Sequence, residues 1–266
     1  MQLPLPAPYD FPLSTERFRR FGVDLANLWD GDELVRAVDG REVRIRAAPA
    51  GVDVEPLDDR IRPDVLHLLG ASFDLDAFYA WAEPDEILGP LTVRLAGLRP
   101  PLVPDPFEAL VSSITAQQVS LFSAFAIRSR MIERFGRRLG RVYAFPTRER
   151  LARASEDELF AVGFSRRKAE YVVGLARNDL DLEALAGLDD DGVRAAIVAV
   201  RGLGAWTAEW FLARHLGRSR AWPAGDLALR KAVEVLYGVG VEEMRSKLEP
   251  FQNLSAHYLL TGARNP

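Results

Sequence analysis

The 266-residue sequence contains no cysteine, which excludes disulfides, thiolate zinc sites and cysteine-ligated iron–sulfur clusters. Histidine is scarce: His67, His215 and His257 are scattered without metal-ligand spacing, so no transition metal is expected. Lysine is equally rare, with Lys168, Lys231 and Lys247 the only three among 34 cationic residues and none between Lys168 and Lys231. No stretch offers about 18 uninterrupted apolar residues, as a membrane-spanning helix requires. The start, Met1-Gln-Leu-Pro-Leu-Pro-Ala-Pro8, lacks the basic and apolar regions of a secretory signal. A cytoplasmic protein without membrane partners is expected.

What is present is a chain that is 48% hydrophobic, enough to bury a sizeable core in one large domain or two smaller ones. The net charge of −4 counts against nucleic-acid binding as a bulk figure, but the charge is unevenly spread. Residues 128–177 carry thirteen Arg or Lys against six Asp or Glu, and residues 1–100 eleven against eighteen, so the middle is +7 and the front −7. A basic face on an acidic body is one reading; a merely solvated arginine surface at Arg138, Arg141, Arg166 and Arg167 is the other.

The first ninety residues read as a mixed β/α domain. Asp39-Gly40 forms a turn signal, followed by alternation at Val43, Ile45 and Ala47 that predicts a hairpin with one buried face, continued by Val52 and Val54. The pattern between Leu75 and Leu88 is helical, and the proline-rich segment 98–106 reads as a rigid connector. Residues 91–266 then read as helices: a bundle over 105–222, and a second part made of 91–104 with 223–266. The fold class is therefore α+β, mostly α. Asp105 ahead of Pro106 predicts a helix start, and residues 120–135 a helix with Phe122, Phe125, Ile132 and Phe135 inward and Gly136 as its stop. Ser155 with Glu158 forms a capping box, Gly163 ends that helix, and Ser165 opens a basic one.

Gly202 and Gly204 sit two apart between helical patterns at 190–199 and 205–215. The spacing fits a sharp reversal that lets a phosphate approach the N–H groups of the next helix, and equally a helix cap with no ligand. Asp226 opens a further helix, where a negative charge is stabilised, and is a preferred N-cap type in its own right. Trp206 and Trp210, four apart, share a helical face on which a flipped base could stack, or belong to an ordinary core.

Several segments taken together resemble the helix-hairpin-helix DNA glycosylases, the bacterial 3-methyladenine DNA glycosylase II type in particular. They are Pro8-Tyr-Asp-Phe11, Leu110-Val-Ser-Ser-Ile-Thr-Ala-Gln-Gln-Val-Ser120, Val162-Gly-Phe-Ser-Arg-Arg-Lys-Ala169, Gly202-Leu-Gly-Ala-Trp-Thr-Ala208 and Pro223-Ala-Gly-Asp-Leu-Ala-Leu229. The resemblance implies an enzyme, expected as a monomer on duplex DNA, that flips an alkylated purine such as 3-methyladenine out of the helix and hydrolyses its glycosidic bond. A different base specificity (hypoxanthine, uracil or an oxidised purine) or an inactive DNA-binding module are the competing readings. It further implies that Asp226 is the catalytic carboxylate, stabilising the cationic sugar. Trp206, Trp210, Trp222, Tyr9 and Phe11 would form the base pocket, whose π faces would attract a cationic base. Gln118 would be the wedge, with Gly202, Leu203, Gly204, Thr207, Arg166, Arg167 and Lys168 on the DNA. No cofactor is implied beyond a monovalent cation, Na+ or K+, on the carbonyls of Val198, Val200 and Leu203. In relatives that also cut the backbone, the position of Trp206 holds a lysine that forms a Schiff base, so this chain resembles the monofunctional branch. Near the C-terminus the family tends to have Arg-Ser after an aromatic, where this chain has Gln252-Asn253 after Phe251.

Overall fold

A computed structural model describes residues 1–264. The chain enters through β1 (Gln2–Pro4), two short helices α1 (Phe11–Ser14) and α2 (Arg17–Arg20), and four strands, β2 (Asn27–Asp30), β3 (Glu33–Val38), β4 (Arg41–Ala48) and β5 (Gly51–Glu55). The sheet is antiparallel in the order β1-β5-β4-β3-β2. The β3–β4 turn falls at Asp39-Gly40, with φ of 48° and 70° as a two-residue primed hairpin requires. Val43, Ile45, Val52 and Val54 are buried against α3 (Ile61–Leu68), as the alternation predicts, whereas Ala47 is exposed.

Next come α4 (Leu75–Ala82) and α5 (Leu88–Arg94), then α6 (Pro106–Ala116), α7 (Leu121–Phe135) and a small hairpin of β6 (Arg137–Leu139) and β7 (Val142–Ala144). They are followed by α8 (Arg148–Ala152), α9 (Glu156–Ala161), α10 (Arg166–Arg177), a 3-10 turn at Ala184–Gly187, α11 (Asp190–Val198) and α12 (Ala205–Arg214). The chain closes with α13 (Leu227–Tyr237), α14 (Val241–Lys247) and α15 (Gln252–Gly262). Asp105, Ser155, Ser165 and Asp226 all cap helices through their side chains, the second in a complete capping box.

Three hydrophobic cores result. One lies between the sheet and α3, one gathers α6 to α12, and one gathers α4, α5 and α13 to α15. Leu75, Phe78, Ala82 and Leu88 belong to the last of these, so packing separates the N-terminal sheet from the helices near residue 72, ahead of the expected limit at 90. The reason is aromatic: Phe78 packs on Tyr258 at 4.9 Å, and Tyr79 shares a 2.8 Å hydrogen bond with the Tyr258 hydroxyl. Phe122, expected inward, is 62% exposed, because it stands in the first turn of α7, where its ring meets the edge of Phe21.

Buried charges bind the sheet to the bundle. Arg36 on β3 pairs with Glu108 on α6 at 2.6 Å, and Arg128 on α7 pairs with the same carboxylate at 2.6 Å and with Asp24 at 3.6 Å. Arg141 reaches Asp30, Glu33 and Glu42 across the strands. The basic middle nevertheless stays largely exposed, with Arg128 alone among its cationic residues buried. Arg148 donates to the carbonyls of Ala176, Asn178 and Leu180, and Arg177 to those of Ala152 and Ala154. Several of its members satisfy acids and helix ends, while Arg137, Arg138 and Arg153 stay exposed beside Arg166 and Arg167 at the start of α10.

Candidate active site

The hairpin between α11 and α12 turns at Gly202, whose φ is +91°. A Cβ there would lie 2.2 Å from the Tyr171 ring, so only glycine fits. Gly204 caps α12 with extended backbone and no side-chain bond, and a Cβ on it would meet nothing within 4 Å. The N–H groups of Ala205 and Trp206 therefore open α12 toward solvent without an intrahelical acceptor, while that of Thr207 belongs to a fully buried residue. Leu203 is buried in the bundle core and contributes backbone alone to this edge. The Thr207 side chain is also buried, because its hydroxyl accepts from Ser113 at 3.3 Å. Fully buried, Thr207 offers no exposed group for the expected contact to DNA.

A residue missed in the sequence completes the turn: Gln117, the C-cap of α6, donates to the Gly202 carbonyl at 3.0 Å. Its neighbour Gln118 is exposed at φ +53°, aimed outward beside exposed Val119, Leu121 and Phe122. On α10, Arg166 is exposed and pairs with Asp157, and Arg167 donates to the Tyr171 hydroxyl at 2.6 Å. Lys168 instead donates to the Thr115 carbonyl at 2.9 Å, and burial pushes its ammonium below the usual lysine range. It braces the end of α6, which revises its expected role as a free phosphate contact.

Asp226 caps α13 by accepting from Ala228 N at 2.9 Å and Leu229 N at 3.0 Å. Trp206 reaches back to this segment: a Cβ on Gly225 would sit 3.4 Å from Trp206 Cδ1, so the indole lies against the residue preceding the carboxylate. Trp206 and Trp210 meet edge to face at 6.3 Å. The loop carrying Asp226 is fixed from α12 as well, because buried Glu209 accepts Trp222 N at 2.8 Å and Arg194 Nε at 2.8 Å.

Three of the five expected pocket aromatics lie elsewhere. Trp222 is 0% exposed in the C-terminal core, its indole N–H donated to the Val241 carbonyl at 3.0 Å. Phe11 is buried in the sheet core against Trp29 at 5.7 Å, and half-buried Tyr9 packs on the same core, where burial raises its phenol above the usual range. Their places are taken by side chains that periodicity could not assign. Arg214 lies 4.7 Å over the Trp210 ring, His257 is 6.2 Å from it, and both line a narrow cavity with Arg17, Leu260, Thr261 and Arg264. The π face expected to meet a cationic base already faces a cation. Asn253, fully buried, donates to the carbonyls of Ala213 and Arg218 at 3.1 Å each, and Gln252 to that of Arg245 at 3.1 Å. At this departure from the family pattern, the Asn253 amide holds the end of α12 and that of Gln252 holds α14.

A family profile described as "HhH-GPD superfamily base excision DNA repair protein" matches residues 111–253, which include the hairpin, Trp206 and Asp226. The chain belongs to this superfamily. It is similar to the DNA-3-methyladenine glycosylase of Bacillus subtilis, with 31% identity over 69% of this chain and 65% of that protein. With the DNA-3-methyladenine glycosylase 2 of Escherichia coli it shares 33% identity over 53% of this chain and 50% of that protein. The chain thus spans between half and two thirds of the length of these HhH-GPD relatives. A solved structure titled 3-methyladenine DNA-glycosylase from Archaeoglobus fulgidus superposes over 100% of this chain and 99% of its own, with a TM-score of 0.89 and 27% identity.

Proposed function

We propose that this protein is a monofunctional DNA glycosylase that flips a modified purine from duplex DNA and hydrolyses its N-glycosidic bond, the alkylated bases named in its relatives being the first candidates. One observation carries the reading: the Asp226 carboxylate is held at the mouth of α13 by two N–H groups, and Trp206 of the glycine hairpin lies against Gly225 beside it. A carboxylate fixed there stabilises positive charge developing at C1′ and orients the attacking water. The indole at position 206 and the lack of lysine from 169 to 230 leave no hairpin amine for a Schiff base, so water is the nucleophile. The bare N–H groups of α12, with Arg166 and Arg167 on α10, hold DNA phosphates, and Gln118 fills the gap left by the flipped nucleotide.

The carbonyls of Val198 and Leu203 accept no backbone N–H among the described residues, and that of Val200 takes Leu203 N at 3.1 Å. This neutral oxygen set fits a monovalent cation, which when bound would add positive charge beside a hairpin-bound phosphate. Bases released from methylated duplex DNA, resolved by chromatography, test the assignment. Asp226→Asn keeps a competent helix cap and should lower release about 100-fold or more. Undiminished release by that variant would remove Asp226 from the mechanism.

A further inference from the structure

Exposed apolar side chains scattered singly carry no meaning, but a row of them on one ridge does. Such a row stands where the N-terminal region meets α7. The connector from α2 to β2, Phe21-Gly22-Val23, runs along one face of that helix. The Phe21 ring lies 5.7 Å from those of both Phe122 and Phe125, and Ser129 Oγ donates to the Val23 carbonyl at 2.6 Å. Phe122, Phe125 and Ser129 recur at three and four residues, the spacing of a single helical face. Val23 is left 60% exposed, as is most of Phe122, and exposed Leu121 and Val119 carry the ridge on to Gln118.

The surroundings of the ridge lack free negative charge. Residues 17–23 and 117–130 together hold five arginines and no carboxylate. The flanking acids are taken: Glu16 pairs with Arg20 at 2.7 Å, and buried Asp24 faces Arg128 at 3.6 Å. Arg264 stands 5.8 Å over the Phe21 ring, and Arg19 and Arg130 are exposed. An apolar ridge with a cationic border suits a polyanion whose interior is apolar. DNA opened at a base step is one, with phosphates outside and base faces within. A second copy of the chain fits less well, because a two-fold contact through the ridge would set these arginines against their own counterparts.

We propose that Phe122 and the Phe21–Val23 connector form an apolar ledge on the minor-groove side of bound DNA, with Phe122 wedging into the base step next to the gap that Gln118 fills. The N-terminal region thereby takes part in holding the DNA bent. The inference rests on the glycosylase reading and adds a DNA contact to it. Gln118 is polar and replaces a missing nucleotide, whereas Phe122 supplies a ring to cover the face of an unstacked base. Phe21 backs that ring edge to face, so little rotamer freedom is left to lose on binding. Neither Phe122 nor Val23 carries charge, so their share of the binding releases no counterions and is indifferent to salt.

Fluorescence of 2-aminopurine placed next to a tetrahydrofuran abasic site in duplex DNA, titrated with the full chain, tests this. The wild-type protein should raise the fluorescence as the neighbouring step opens. Phe122→Ser should abolish most of that rise and weaken binding about tenfold, and Val23→Ser should weaken it about threefold, both with the wild-type salt slope and melting temperature. Val93→Ser, which removes an exposed apolar side chain from α5 instead, should change nothing. An unchanged rise and affinity in Phe122→Ser overturn the proposal, as does a loss matched by Val93→Ser or one with a shallower salt slope, the mark of a lost phosphate contact. Wild-type behaviour of Val23→Ser overturns the part given to the N-terminal connector. Dimerisation of the wild type that Phe122→Ser removes, with DNA binding intact, overturns it too and gives the ridge to a second copy. Base release from methylated duplex by the same proteins separates the two readings. Wild-type release with an inert ridge leaves the glycosylase reading standing, and neither binding nor release by the wild type ends both.

Discussion

Gly202 and Gly204 look alike in the sequence and are held for opposite reasons. Gly202 has φ +91° and the Tyr171 ring 2.2 Å from where a Cβ would sit, so Gly202→Ala should destabilise the fold by about 2 kcal/mol, seen in urea or thermal unfolding. Gly204 has φ −114° and open space around it. Gly204→Ala should leave the melting temperature within a degree or two and weaken duplex binding about tenfold, read by fluorescence anisotropy over a salt series. If Gly204→Ala bound DNA as the wild type does, the α12 N-terminus would not be a phosphate site. The turn itself was legible because glycine spacing is a local signal. The Tyr171 ring that forbids a side chain at 202 was not, since nothing in the local pattern ties α10 to the hairpin. Asp226 was legible for the same local reason as the turn, and Arg17, Arg214 and Arg264 were not, because their convergence needs α2, α12 and the C-terminal segment packed together.

At the scale of the element, α12 joins the hairpin to the loop that carries the carboxylate. One face presents Trp206 and Trp210, and another presents Glu209 to Arg194 and to the Trp222 N–H. Glu209→Ala leaves that buried N–H without an acceptor and should cost about 2 kcal/mol of stability. Because the Trp222-to-Asp226 loop then loses its anchor, turnover should fall while KM changes little. Glu209→Gln retains an acceptor for Trp222 N and should recover most of the rate; equal rates for both variants would rule out Glu209 as a positioning residue. The helices were readable from their caps, since Asp105, Ser155, Ser165 and Asp226 act within their own first turns. Three of the pocket aromatics were misplaced because residue type says that an indole or a phenyl ring is buried without saying in which of three cores.

Across the whole molecule, the charge asymmetry of the sequence is resolved by contact between its two halves. Arg141 bridges to Asp30, Glu33 and Glu42, and Glu108 holds Arg36 and Arg128 in a buried cluster. The connector between the sheet and the bundle is held by a different group. His215, at the end of α12, donates from Nδ1 to the Val103 carbonyl at 2.7 Å, while Val103 N donates to the Arg214 carbonyl at 2.7 Å. The ring of His67 from α3 stands 5.8 Å away. Burial lowers His215 to about 4, with the Val103 bond opposing the shift and His67 adding to it. Between pH about 6.5 and 4 the unfolded chain therefore binds a proton at this residue that the folded one excludes, so stability declines as pH drops through that window and levels off below it. His67 and His257, both also lowered by burial, act in the same direction. Moving from pH 7.5 to 5.0 should cost roughly 2 kcal/mol through His215 alone. Urea unfolding at both pH values for the wild type and His215→Asn, whose amide can still donate to Val103, isolates that share. The variant should lose roughly 2 kcal/mol less on acidification, and an unchanged pH dependence would mean that the junction of the three cores does not hold this imidazole neutral.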